Sequence, residues 1–226
     1  MKANISSAKV CSIILMMLPI IVEALPVADT MQTQWVGEQM VHNGFPMQIQ
    51  SFSSKGSAES ILAFYRSEWA KPLGKDIPGF VENSIGEWQV ISRLEGNENI
   101  VIQVKSDPAG GSEGFISTME TVSSVKKDIV LEDFPQLSGS EMISNTSSVD
   151  NGKNANTIIL RNRSSVISNR DFYRSRLISL GYKNVHEGEN DGGDILFFNG
   201  KKANIELVIT ASGDGETIVF ANVVRN

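Results

Sequence analysis

Cysteine occurs once in the 226 residues and histidine twice. The cysteine, Cys11, lies in an N-terminal apolar segment. Once that segment is removed, no thiol remains for a disulfide, a nucleophile or a metal site. His42 and His186 sit far apart in the sequence, which leaves most nucleophilic and metal-hydrolase schemes without their usual parts. Long basic runs are missing as well. With 20 Lys and Arg against 26 Asp and Glu the formal net charge is −6, so nucleic acid and anionic membrane surfaces find no electrostatic footprint. Beyond the N-terminal segment no apolar stretch reaches the roughly 20 residues of a spanning helix, so no membrane span is expected after the segment is removed.

The first 24 residues read MKANISSAKVCSIILMMLPIIVEA. Lys2 and Lys9 give a positive start, and residues 10–22 form an apolar run broken by Pro19. Val22 and Ala24 then offer acceptable side chains for a signal peptidase. The expectation is a signal peptide over residues 1–24, cleaved after Ala24, and a periplasmic or secreted protein. An uncleaved N-terminal anchor is the alternative. Cys11 stands at the start of the run rather than at its end, so a lipoprotein is not expected. An exported domain without disulfides must be held by its core, and about 200 residues suffice for one ordinary domain or two small ones.

What is present is a repeat. The tetrapeptide FYRS occurs at residues 64–67 and 172–175, an offset of 108. Around it FYRSEWAKPLG faces FYRSRLISLG, and downstream NIVIQV faces NIELVI. Each is followed by a glycine-rich turn, DPAGGSEG or SGDGE, and by a last alternating run. Four matched segments in one order at nearly constant offset indicate a duplicated unit. In the first copy Ile61, Leu62, Tyr65 and Trp69 fall on one helical face; in the second Tyr173, Leu177 and Leu180 do so. Ser57 and Ser168 are candidate N-caps, Gly74 and Gly181 candidate helix stops, and Pro72 ends the first helix sooner. Asn43-Gly44 and Asn151-Gly152 are hairpin signals ahead of each helix. The other runs alternate and are rich in Val, Ile and Phe, as half-buried antiparallel strands are.

The expected fold is therefore α+β: two tandem modules, each one helix packed on an antiparallel sheet. The first spans residues 30–125 and the second 138–226, with a linker over 126–137 that leads into polar, turn-rich sequence. NGFPMQIQSFSS…AFYRSEW and DFPQLSGSEMIS…DFYRSRLISLGY together resemble a loose class of exported bacterial envelope proteins with tandem FY-x(3–4)-L/W-x(3–4)-G modules. The resemblance implies an envelope-associated protein, with some members of the class near secretion or pilus systems. It brings no catalytic residues.

Few residues invite a chemical role. In HEGENDGGD, residues 186–194, Glu187, Glu189 and Asp191 alternate before Gly192 as calcium-loop ligands do. The closing bidentate acid is missing because Phe198 stands there, and a solvated turn explains the same residues. The Phe and Tyr of FYRS are about 100° apart on a helix, so one enters the core while the other borders it. Arg66 and Arg174 then fall at the solvent edge. Trp35, Trp69 and Trp88 all belong to the first copy; Trp69 is expected in the core, and Trp35 and Trp88 are the candidate partner-binding residues.

These features point to a non-catalytic exported protein that binds or scaffolds another envelope protein, without catalytic residues, cofactor or metal. Exposed strand edges would be available to a partner's strand. A carboxylate-dependent hydrolase is the first alternative, because acids are plentiful. A small-ligand or calcium-binding protein using residues 186–194 is the second.

Overall fold

The computed structural model describes residues 25–122, 134–150, 152–190 and 193–226. The expected signal peptide, residues 126–133 of the expected linker, and Asn151, Asp191 and Gly192 lie outside the described residues.

Strands β1 (Met31–His42) and β2 (Phe45–Ser54) form a hairpin, followed by helix α1 (Ala58–Glu68). Strands β3 (Val81–Ile85), β4 (Trp88–Glu95), β5 (Glu98–Ser106) and β6 (Ser112–Glu120) complete the first half. The second half repeats this order with β7 (Glu141–Asp150), β8 (Lys153–Asn162), helix α2 (Val166–Ser179), β9 (Lys183–Asn190), β10 (Gly193–Asn199), β11 (Ala203–Ala211) and β12 (Thr217–Arg225).

All twelve described strands join one antiparallel sheet, in the order β3-β4-β5-β6-β2-β1-β7-β8-β12-β11-β10-β9. This overturns the α+β expectation of two helix-on-sheet modules: the fold is dominated by a single sheet, and the two helices among the described residues are only 11 and 14 residues long. Two physical effects account for the difference. First, β1 pairs with β7 through Met40–Ser148, Val41–Ser147 and His42–Thr146, which fuses the sheets of the two halves into one. Second, two segments that read as polar turns are strands. EMISNTSSVD forms β7 and KNVHEGEN forms β9, because cross-strand neighbours, rather than intrinsic propensity, decide whether a polar segment is extended.

From either edge the sheet shows the same sequence of elements, and the halves meet at the Met40–Ser148 pair. Each of these residues stands the same distance ahead of its turn glycine, Gly44 or Gly152. In an antiparallel pair the local two-fold axis is perpendicular to the sheet, so here it passes through Met40–Ser148.

Both helices lie on one face. The register carries the side of Phe52 along β2 to Pro46, then to Val41, Ser147, Asn156 and Ile158. Phe52 belongs to the core under α1 and Ile158 to the core under α2. Under α1 the alternating residues Ile100, Ile102 and Val104 of β5 meet Ile61, Leu62 and Tyr65. Under α2 the residues Ile205, Leu207 and Ile209 of β11 meet Tyr173 and Leu177. Each fully buried side chain of this kind stabilises by about 1.5–3 kcal/mol relative to exposure.

Helix caps follow local sequence with two shifts. Ser57 caps α1 as expected, accepting from Ser60 N at 3.2 Å. The cap of α2 is Ser165; the expected cap Ser168 lies in the first turn and donates its backbone N–H to Ser165 Oγ at 3.1 Å. Helix α1 stops at Glu68 with Trp69 as C-cap, ahead of Pro72 and Gly74. Gly181 ends α2 at φ +89°, and Tyr182 N returns to Leu177 O at 3.0 Å, a Schellman closure.

Candidate functional site

The FYRS tetrapeptides do the same structural work in both halves. Tyr65 and Tyr173 are fully buried. Phe64 and Phe172 are half-buried, each edge-on to its neighbouring tyrosine with ring centroids 5.0 Å apart. Arg66 holds Glu82 of the edge strand β3 through two bonds, Nε–Oε1 at 2.5 Å and Nη2–Oε2 at 3.0 Å, and also reaches Glu59. Arg174 holds Glu187 of the other edge strand, β9, through Nε at 3.1 Å and through Nη2. The fork of a guanidinium matches a carboxylate in this way. The bond from Arg66 draws the Glu82 carboxyl below its ordinary range and raises the guanidinium further above its own. FYRS therefore tethers each outer edge strand to its helix.

The two candidate tryptophans are not brought together. Trp35 pairs with Gln50, whose next partner is the buried Ile116, so Trp35 lies on the helix-bearing face. It is 46 % exposed and does not belong to the core under α1. Trp88 neighbours Gln89, which pairs with the buried Val104, so Trp88 looks out from the opposite face. There it is half-buried, its ring 5.7 Å from that of Phe115 and 4.8 Å from the Lys105 ammonium. Trp69 is in the core, as expected.

Trp35 borders an unusual feature. β1 is hydrogen-bonded to β2 along its whole length, but β7 meets it only at Met40–His42. Among the described residues, no strand pairs with the other side of β1 from Met31 to Gly37. Bulges next to Gly37 interrupt the register there and leave Val36 57 % exposed beside Trp35. The outer edges are better guarded. β3 is only five residues long, and β9 carries a bulge opposite Phe197 and Phe198 and the arginine-bound Glu187.

Among the described residues no helix covers the face on which Trp88 lies. Val90, Val101, Phe115 and Ile49 line it in the first half, and Ile195, Val208, Phe220 and Ile159 in the second. These residues escaped the reading of helix faces and turns. Their signal was in the strand sequences of the second half: DILFF and TIIL carry apolar residues at both parities, which marks strands with apolar side chains on two faces.

The other candidate groups stay apart or are already engaged. Both histidines lie on strands rather than in loops. His42 Nδ1 meets Thr146 Oγ1 at 2.8 Å, and the His186 ring lies against Phe197. They sit at opposite ends of one cross-strand row, through Thr146, Thr157, Asn222, Glu206 and Phe197, six strand spacings of about 4.8 Å apart. Of the calcium-loop residues, Glu187 is bound to Arg174 and Asn184, and Asp191 lies outside the described residues. Among the described residues no group of three His, Cys, Asp or Glu is placed to hold a metal ion. A polar cavity of about 570 Å³ opens where β8 runs into α2, but its carboxylates are committed: Arg161 binds Glu141 at 2.8 Å and Glu216 at 3.3 Å. Among the described residues no helix is long and apolar enough to cross a membrane.

Comparison with known proteins gives no matching family model, no matching curated protein and no matching solved structure.

Proposed function

We propose that this is a non-catalytic exported protein of the bacterial envelope, which binds another envelope protein by accepting an extended segment of it along β1. The observation that carries the reading is the side of Gln32–Gly37 with which no described strand pairs, inside the sheet rather than at its rim, with Trp35 and Val36 exposed beside it. Unsatisfied strand N–H and C=O groups are a template for one more strand, and adjacent aromatic and aliphatic side chains give that strand something to grip. The neighbouring seam supports the reading, since it is itself strand addition to the same side of β1.

A photo-crosslinking residue at Val36, introduced in the native host, tests the proposal. The expected result is one reproducible envelope protein attached at that position, lost when Trp35→Ala is added. Crosslinks that survive Trp35→Ala, or none at all, would overturn it.

A further inference from the structure

A groove of about 350 Å³ lies in the second half of the sheet, on the helix-free face opposite the helices. Strand β9 opens it. Its register slips between Phe197 and Phe198, so Val185 is an extra residue, 54 % exposed at the rim. Bulges of this kind bend a strand and re-aim its side chains, often beside functional sites. The groove runs along one cross-strand row. His186, Phe197, Glu206 and Asn222 are directly opposite one another on β9, β10, β11 and β12, which brings neighbouring Cβ atoms to about 4.5–5.5 Å. The His186 and Phe197 rings are 5.8 Å apart and tilted at 52° to each other.

Glu206 is the anomaly in this row. It is half-buried, and among the described residues it makes no hydrogen bond or ion pair. The other buried or half-buried carboxylates among the described residues, Asp107, Glu120, Asp194 and Glu216, are all engaged. Lys183, one row away opposite Asn199, forms no ion pair with it. A carboxylate withdrawn from water without a partner costs stability, and the fold does not require one here. The matched row of the first half reads Ser92, Val101 and Ser117, with valine in the place of Glu206.

We infer that the groove binds a small organic ammonium ion, with its positive head against Glu206 and the Phe197 ring and its apolar body against Val185 and Val224. A carboxylate beside an aromatic face is the chemistry that holds such a head. The amides of Asn204 and Asn222 add acceptors for an N–H or hydroxyl of the ligand. A bare metal ion is poorly served, since Glu206 is the one anionic side chain lining the groove. The volume suits a small molecule. The inference does not rest on strand acceptance by β1, which uses the first half of the sheet.

Choline titrated into the exported full chain, followed by backbone amide NMR against equal sodium chloride, tests it. Saturable shifts are expected at Phe197, Glu206 and Asn222. The neutral alcohol in which carbon replaces the ammonium nitrogen has the same shape and should bind about tenfold more weakly. Glu206→Gln should weaken choline about tenfold, with the urea midpoint unchanged or higher because a lone carboxylate is gone. Phe197→Leu should weaken it about threefold. Glu206→Val is a second variant, carrying the side chain that the first half already accommodates. No saturable shift, an equal response to the neutral alcohol, or full affinity in both Glu206 variants would overturn the inference. So would a lower urea midpoint in Glu206→Gln, since the carboxylate would then have a partner in the fold. Failure here leaves the crosslink at Val36 intact, and failure of that crosslink leaves the groove intact.

Discussion

Asn162 and Asn169 exchange two hydrogen bonds through their side-chain amides, Nδ2 to Oδ1 at 2.8 Å in one direction and 2.9 Å in the other. Both side chains are buried. Asn169 Nδ2 also donates to Ser165 O at 3.0 Å, and Asn162 Oδ1 accepts from Ser164 N at 3.0 Å. The pair thus ties the end of β8 to the first turn of α2 and supplies an acceptor for the Ser164 N–H ahead of the helix.

Replacing one member leaves the other amide buried without its partner. Asn169→Leu should cost about 1–3 kcal/mol, read as a fall in the urea midpoint at unchanged slope. Asn162→Leu combined with Asn169→Leu should cost less than the two single changes together, because no lone amide remains. Strict additivity would show that the amides do not act as a pair.

The Arg66–Glu82 tether gives a pH signature. Glu82 has its folded pKa drawn below the ordinary value of 4.5, first by the hydrogen bond from Arg66. A depressed carboxyl contributes stability that is present above its unfolded value and is lost as pH falls through the folded one. The urea midpoint of the parent should therefore exceed that of Glu82→Gln at pH 7, with the gap closing below about pH 4.5. Both groups are partly exposed, so added salt should narrow the gap at pH 7. A gap unchanged by acid would remove Glu82 from the account of acid stability.

Signals that act over a few residues were legible in the sequence. Asn43-Gly44 turns the first hairpin with φ values of +50° and +87°, which is what that dipeptide favours. Ser57, Gly181 and the buried tyrosines of FYRS were legible for the same reason. Ser168 was mistaken for the cap because Ser165, three residues earlier, has the same chemistry, and only the helix start separates them. What stayed hidden was pairing between distant segments. The seam joins His42 to Thr146, 104 residues apart, through polar strands whose sequence alone suits a turn equally well. The helix-free face was hidden differently: the alternating runs suit strands with one buried and one solvated face, and the apolar residues at the second parity, such as Val208 and Phe220, do not disturb that pattern.

Gly114 on β6 is fixed by what lies over it. A Cβ there would stand 2.0 Å from Gln103 O and 2.6 Å from a ring carbon of Phe52, which is buried. At the matched place in the second half, Val219 pairs with Leu160, so a smaller partner is balanced by a larger neighbour. Gly114→Ala should destabilise by about 1–3 kcal/mol through overpacking. Adding Phe52→Leu should recover part of that loss, although the clash with the Gln103 carbonyl persists. If Gly114→Ala alone proves neutral in urea, the close packing of Phe52 does not constrain this strand.

The paired tyrosines separate packing from hydrogen bonding. Both rings are fully buried at matched sites, but the Tyr65 hydroxyl donates to Pro26 O at 3.1 Å, whereas the Tyr173 hydroxyl lies against the Leu137 backbone without a well-formed bond. Tyr65→Phe should therefore cost about 0.5–1.5 kcal/mol, while Tyr173→Phe should be close to neutral or slightly stabilising. Burial raises both phenols well above their ordinary value of 10.0. An acid whose folded pKa is raised contributes stability that is present below the unfolded value and is lost as pH climbs past it. Stability should then fall above pH 10 because the unfolded chain ionises these phenols and the folded chain does not. Absorbance of phenolate at alkaline pH checks this directly: the Tyr65 and Tyr173 signals should appear together with unfolding, and each Phe variant should remove one of them. Phenolate from either residue in a still-folded chain would show that its hydroxyl is open to solvent and that the tight fit over the sheet is wrong.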